Sequence, residues 1–405
     1  MLIEGVLVSI GDYLSYGVLF IITLLINRYY GTAQLGTFTL AVTISQIAIL
    51  PLSSGFSGIL RREVATTPAL SGKYVVSVLQ LRSIIILSML VLIAIYTLSA
   101  LQNTCVLLMF VSKGLDNLCE TFYTAFQASN KILRCTILKC INAMLLFVTV
   151  FGCMHNLLGI EYIYYAHVGI SLLMLCVCAF DYIKIEKPIY SIDKEVRKYL
   201  LVETWPLLFN AIFFQVGARL SVIILAWYVS VQDLGTYSAA INIVSSITMV
   251  TNSIGVVLFA YFSRLFIEKP LQFVSTVNKI TSYFLISGIL LSGILYLLSP
   301  LVLKLYGKLP ENATWVLQLL ALAMTALFAH APLGSIFTIM RFQKQGMVYA
   351  GIMVCINLSL FFFGTKFFGL LGACMAYIIY QSINTLTEFL ILNFYLKQKV
   401  LKTIQ

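Results

Sequence analysis

The sequence predicts an all-α membrane protein with about twelve transmembrane helices in two parallel six-helix lobes. Three observations carry this. Of the 405 residues, 60% are hydrophobic and 10% charged, with a mean hydropathy of +0.98; soluble domains carry about 25% charged residues. Apolar runs long enough to cross a bilayer, which takes about 20 helical residues, recur along the whole chain. A motif that opens the second run also returns, little changed, where the eighth run opens. No soluble fold of this length hides so much apolar surface. A soluble enzyme, a nucleic-acid-binding protein and a secreted disulfide scaffold are thereby excluded.

The runs fall at 5–27, 36–59, 81–101, 104–127, 133–153, 162–181, 200–228, 235–262, 280–303, 314–340, 346–364 and 369–396. The first follows Met1-Leu2-Ile3-Glu4, which lacks the basic segment of a cleavable signal, and no small-residue cleavage site comes after it. It therefore reads as a retained helix. The third and fourth runs are parted only by Gln102-Asn103-Thr104, a tight hairpin. Nine cysteines lie mostly within apolar runs, without a CxxC pair or a metal-type cluster with the three histidines. They read as small polarizable packing residues, and no metal is expected. No Walker motif or Gly-rich phosphate loop occurs, so no nucleotide or other cofactor is expected.

The formal net charge of +11 has a topological reading, because cytoplasmic loops collect Lys and Arg. With a cytoplasmic N-terminus, twenty of the 26 Lys and Arg fall inside, counting Arg82, Arg134 and Lys139 as first-turn residues of their helices. Four fall outside, Arg28, Lys304, Lys308 and Lys366, and Lys113 and Arg219 remain within spans. Both termini are expected to be cytoplasmic. The connection from Ile183 to Leu200 holds five basic residues near the midpoint. It divides the chain into an N-terminal six-helix lobe (1–181), a basic cytoplasmic linker (182–199) and a C-terminal six-helix lobe (200–405).

An internal repeat supports that division. Leu35-Gly36-Thr37-Phe38 matches Leu234-Gly235-Thr236-Tyr237, and each copy joins the first helix of its half to the second. An even number of helices per half puts both copies on the same side of the membrane, so the repeats are parallel.

Ionisable residues within spans cost free energy and normally face a water-filled cavity or a partner. Lys113, Asp116 and Glu120 in the fourth run share one helix face, with Tyr123 and Gln127 continuing the stripe. Lys113 pairs with Asp116 in this reading, which leaves Glu120 without an obvious local partner. Two readings stand: a hydrophilic passage wall with Asp116 and Glu120 in proton or charge coupling, or a salt bridge that fixes helix packing. Arg219 lies deep along the seventh run, with Gln215 one turn below and Asn210 and Glu203 deeper. Its guanidinium suits a phosphate, since it offers a bidentate fork that stays charged; the alternative is a side chain that snorkels to the interface. Pro206 offers a bend near the other end of that run.

Arg28, beside Tyr29 and Tyr30, is a second phosphate contact or an interface anchor. Asp12, with Tyr13 and Tyr16, is a cavity candidate for charge coupling, and Arg61-Arg62, just past the second run, is either a basic pair that attracts a diphosphate or simple positive-inside placement. Glu388, Asn384 and His330 are expected to stabilise the second lobe.

Twelve helices, a 6+6 duplication and an LG-[TS]-[YF] turn after helices one and seven resemble the multidrug/oligosaccharidyl-lipid/polysaccharide exporter superfamily. Within it, the chain is most similar to the polysaccharide-transporter branch, especially the bacterial O-antigen unit flippases. Arg28-Tyr29-Tyr30-Gly31 through Phe38, Trp205-Pro206 with Asp233 through Tyr237, and Gly369-Leu370-Leu371-Gly372-Ala373 carry the likeness. The resemblance implies two lobes around a central cavity that alternate access by rocking. It also implies translocation of a polyprenyl-diphosphate-linked oligosaccharide from the cytoplasmic to the periplasmic leaflet of the bacterial inner membrane, an activity of lipopolysaccharide biosynthesis. Implied partners are that lipid-linked oligosaccharide, membrane lipids and other polysaccharide-assembly proteins. No nucleic acid is expected, and since the fold needs no partner, a monomer is. Two alternatives stay open. A cation-coupled multidrug exporter would want carboxylates without Lys113 and Arg219 beside them. A membrane glycan polymerase needs a sizeable outer loop, and the longest expected outer loop has about ten residues.

Overall fold

The computed structural model describes residues 2–67, 70–99, 104–186, 193–307, 309–340 and 342–396. These are helices and turns, with no strand among the described residues. The helices are α1 (Leu2–Tyr30), α2 (Thr32–Thr66), α3 (Ser71–Ser99), α4 (Thr104–Ala128), α5 (Ile132–His155), α6 (Glu161–Glu186), α7 (Lys194–Tyr228), α8 (Val231–Glu268), α9 (Pro270–Leu303), α10 (Ala313–His330), the single turn α11 (Ile336–Ile339) and α12 (Gln343–Leu390). Among the described residues, seven helices are long and apolar enough, by length and composition, to cross a membrane. The class is all-α, and the twelve apolar runs map onto α1 to α10 and the two arms of α12.

Three boundaries differ from the sequence reading. The tenth run was extended to residue 340, but α10 ends at His330, because Pro332 cannot donate to a continuing helix and the chain turns before α11. The last two runs share α12, which breaks at Gly369 with φ +55°, a conformation that favours glycine. The chain reverses there, and Gly364 and Gly372 come into backbone contact. Farther along the two arms, the Tyr349 hydroxyl bonds Asn384 at 2.9 Å. Third, α6 continues through Glu186 and α7 starts at Lys194, so both ends of the basic linker are helical. Its centre, and the Gln102-Asn103 hairpin, lie outside the described residues.

Many large apolar side chains are exposed, as suits a lipid solvent. On α3, Ile84, Leu87, Val91 and Ile95 form one stripe of them at helical spacing, with Leu92 beside it. Helix α9 is inverted relative to a soluble helix: Gly288, Ser292, Leu295 and Ser299 are buried, whereas Ile289, Leu290, Leu297 and Leu301 are exposed. Small residues at the interface let the helices approach closely in lipid. Ser292 Oγ accordingly donates to the Ala321 carbonyl of α10 at 2.8 Å.

The chain forms two compact units. The first comprises Met1–Leu25 and Thr37–Arg219, the second Ile26–Gly36 and Leu220–Gln405. The core of the first joins Phe56, Leu60 and Val64 of α2 to Val78 of α3, Phe122 and Phe126 of α4, and Met174 and Tyr182 of α6. In the second, Phe262 and Phe273 pack edge to face, with Leu333, Ile336 and Leu392 around them. The second unit contains Leu35 and Gly36 of the first copy of the repeated motif and the whole of the second copy. Helices α2 and α8 start at Thr32 and Val231, an offset of 199 residues shared by Gly36 and Gly235. Leu35, Leu234, Phe38 and Tyr237 are all buried. In the same unit, the buried Asn27 amide donates to the Tyr306 carbonyl at 2.7 Å.

Candidate functional site

Helix α4 places Lys113, Asp116 and Glu120 on one face, and the structure pairs the first two. Lys113 Nζ donates to Asp116 Oδ2 at 2.9 Å, with both side chains partly exposed. The other carboxylate oxygen of Asp116 accepts from Ser171 of α6 at 2.7 Å, and Ser171 lies 2.9 Å from Ser112. The pair is thus tied to a second helix by a satisfied network.

Glu120, expected to lack a local partner, stands close enough to Arg82 of α3 to act on it electrostatically. Arg82 itself corrects the topological count. It lies eleven residues beyond the start of α3 and is fully buried, so it is not a loop charge. One guanidinium nitrogen donates to the Asn117 carbonyl at 2.7 Å and Thr121 Oγ1 at 2.8 Å, and the other to Ser57 Oγ at 2.8 Å. The signal was its register: Val75, Val78 and Arg82 fall at i, i+3 and i+7, on the buried face of α3.

At one end of the first unit, Arg61 donates to Gln127 Oε1 at 2.9 Å. Arg62 contacts Glu63 at 3.0 Å, the Tyr199 hydroxyl at 2.7 Å and Glu203 at 3.3 Å. The Tyr199 hydroxyl donates to Glu63 at 2.9 Å. That bond raises the Tyr199 phenol above its usual range, and the two carboxylates raise Arg62. This basic pair is therefore embedded in a charge-balanced cluster that includes acidic residues, which counting Lys and Arg alone does not reveal.

Arg219, near the far end of α7, donates to Gln46 Oε1 of α2 and senses Tyr16 of α1 electrostatically. Its side chain is half-buried, while Tyr16 is exposed. Arg28 is exposed near the end of α1 and belongs to the second unit, packed by Gly307. The backbones at Asp12 and Gln215 are helical, but their side chains lie outside the described residues. The structure thus brings together Lys113 with Asp116, and Arg61 and Arg62 with the α4 and α7 residues around them.

The sequence matches the family described as polysaccharide biosynthesis protein over residues 3–266. The chain belongs to this family. Among solved structures, one similar to it is titled as the lipid II flippase MurJ in an inward closed conformation, with a TM-score of 0.74 and 16% identity, covering 98% of this chain and 91% of that one. An inward-facing multidrug resistance MATE family transporter of the MOP superfamily aligns with a TM-score of 0.71 and 13% identity over 99% and 96%. A MOP superfamily transporter from Pyrococcus furiosus, whose title notes a reversed polarity of its binding pocket, aligns at 0.64 and 12% over 99% and 96%. Among curated proteins, none matches the sequence. The chain shares its fold with these three solved structures over nearly its whole length.

Proposed function

We propose that this protein is a flippase that carries a polyprenyl-diphosphate-linked oligosaccharide, an O-antigen repeat unit, from the cytoplasmic to the periplasmic leaflet of the bacterial inner membrane. Alternating access by two six-helix lobes, 1–181 and 200–405 joined through 182–199, is the mechanism in this reading, with both termini cytoplasmic. The observation that carries it is Arg219, a half-buried guanidinium oriented by the Gln46 amide in a chain of the polysaccharide biosynthesis family. Such a fork binds a diphosphate in two-point geometry and keeps its charge whatever the local pH.

Lys113, Arg28, Gln215, Arg61 and Arg62 are the further substrate contacts in this proposal. Asp116, Glu120 and Asp12 carry charge coupling. The protein acts as a monomer, without cofactor and without making or breaking covalent bonds, alongside other polysaccharide-assembly proteins. The MATE-like fold supports a second reading, a cation-coupled drug exporter. Cations at Lys113 and Arg219 speak against it, because a cationic drug is repelled by them.

Deletion of the gene, with lipid-linked oligosaccharides quantified and drug sensitivity scored on the same strain, tests the proposal. Complete units accumulating on polyprenyl diphosphate, accessible only from the cytoplasmic side, are the expected result. Unchanged lipid-linked sugars with new drug sensitivity would establish the exporter. Complete units that reach the periplasmic leaflet and fail to polymerise would establish a polymerase.

A further inference from the structure

The second unit holds a cavity of about 670 Å³ between α8 and the segment joining α10 to α11. That is within the range of small-molecule sites. Its wall carries the hydroxyls of Ser245, Thr248 and Ser335, the ring of Phe259, and His330 beside Gly334. Phe259 is exposed although it lines a concavity.

His330 is the fixed polar group of this wall. Its Nδ1 lies 2.8 Å from the buried Glu388 carboxylate and 3.4 Å from the Asn384 amide, both on α12. Asn384 in turn is held by the Tyr349 hydroxyl at 2.9 Å. The ring is therefore anchored on one side. Its other nitrogen, Nε2, faces Gly334: a β-carbon there would lie 3.0 Å from it. Gly334 itself is exposed, so the Nε2 edge stands at the cavity rather than under a side chain.

We propose that this cavity is a glycan subsite in which His330, held by Glu388, hydrogen-bonds a sugar hydroxyl through Nε2. The inference rests on the flippase reading and names the part of the substrate this unit takes. Three features select a sugar over its diphosphate. No Lys or Arg lines the cavity among the described residues, whereas a diphosphate is recognised by guanidinium or ammonium groups. A sugar hydroxyl both donates and accepts, so it satisfies the protein hydroxyls and either protonation state of Nε2. The Phe259 ring offers an apolar face to the C–H side of a pyranose, the combination of one aromatic surface with a few placed polar groups that small-molecule sites use. The Lys113 and Arg219 clusters of the first unit are left to the diphosphate.

The chain has three histidines, His155, His167 and His330. Imidazole 15N spectra of the full-length protein in nanodiscs therefore resolve each ring, and His330→Asn assigns its signal. The probes are the host's repeat-unit oligosaccharide released from its lipid, and inorganic pyrophosphate. The expected result is a saturable shift of His330 Nε2 with the oligosaccharide and none with pyrophosphate. Thr248→Val, which removes a cavity hydroxyl while keeping shape, should weaken that titration about fivefold, as loss of one neutral hydrogen bond does. Gly334→Ala should abolish the shift by crowding Nε2. An Nε2 signal unmoved by saturating oligosaccharide overturns the subsite, and so does an equal response to pyrophosphate. Gene deletion reads the flippase separately: accumulated lipid-linked units with an unmoved His330 signal overturn the subsite alone.

Discussion

Gly36 and Gly235 meet backbone to backbone within the second unit. A β-carbon on either glycine would lie 3.0 Å from the other's amide nitrogen, and closer still to a carbonyl oxygen, that of Val231 for Gly36 and that of Thr32 for Gly235. The glycines of the repeated motif thus pack against each other as well as matching in sequence. Both are needed because no side chain fits at the crossing of α2 and α8.

Substitution at this crossing should be costly. Gly36→Ala or Gly235→Ala should each destabilise by about 1–3 kcal/mol, as overpacking does. The double variant should cost less than the sum, because one separation of the helices relieves both clashes. Thermal unfolding of the purified protein in detergent checks both statements.

Arg82 should behave as a buried structural charge. Arg82→Met removes the donor to Asn117, Thr121 and Ser57 and leaves Glu120 without its cation. A loss of about 3 kcal/mol is expected, and adding Glu120→Gln should recover part of it. Unfolding midpoints of the single and double variants give the comparison.

Arg219→Ala should lower flipping about tenfold or more, the loss of one charge-assisted hydrogen-bonded contact, while membrane levels stay normal. Arg219→Lys should recover only part, because an ammonium lacks the fork. Accumulation of lipid-linked units in the complemented deletion strain is the readout. Normal flipping in Arg219→Ala would return this residue to the role of an interface anchor.

The Tyr199 cluster should weaken in alkali. Its phenol is raised above the ordinary value near 10 by donating to Glu63. The stabilisation is therefore complete below about pH 10 and is lost as pH rises through the higher folded value, when the phenolate faces the carboxylate. Tyr199→Phe should remove this part of the alkaline decline. Thermal stability measured between about pH 8 and 11 compares the two proteins.

Most of the fold was legible because spanning segments need long apolar runs, and each run found its helix. The motif around Gly36 and Gly235 was legible as a repeat, but its backbone contact was not, since a repeat records ancestry rather than proximity. Arg82 was misread because charge near a run's edge looks like loop; the start of α3 at Ser71 puts it well inside the helix. The Lys113–Asp116 pair was visible from i, i+3 spacing, whereas Ser171 and Arg82 approach from other helices and leave no mark in local sequence. His330 and Glu388 were assigned to the second lobe without the cavity beside them, because a cavity is a property of several elements at once.

The bond from Asn27 to Tyr306 has a consequence in time. Its two ends are 279 residues apart. At about 5–20 residues per second, synthesis separates them by roughly 14–56 s. During that interval α1 is in place while the carbonyl that receives its amide does not yet exist. A buried amide left without its acceptor is costly, so the turn between α1 and α2 stays unfinished until the segment that follows α9 is made.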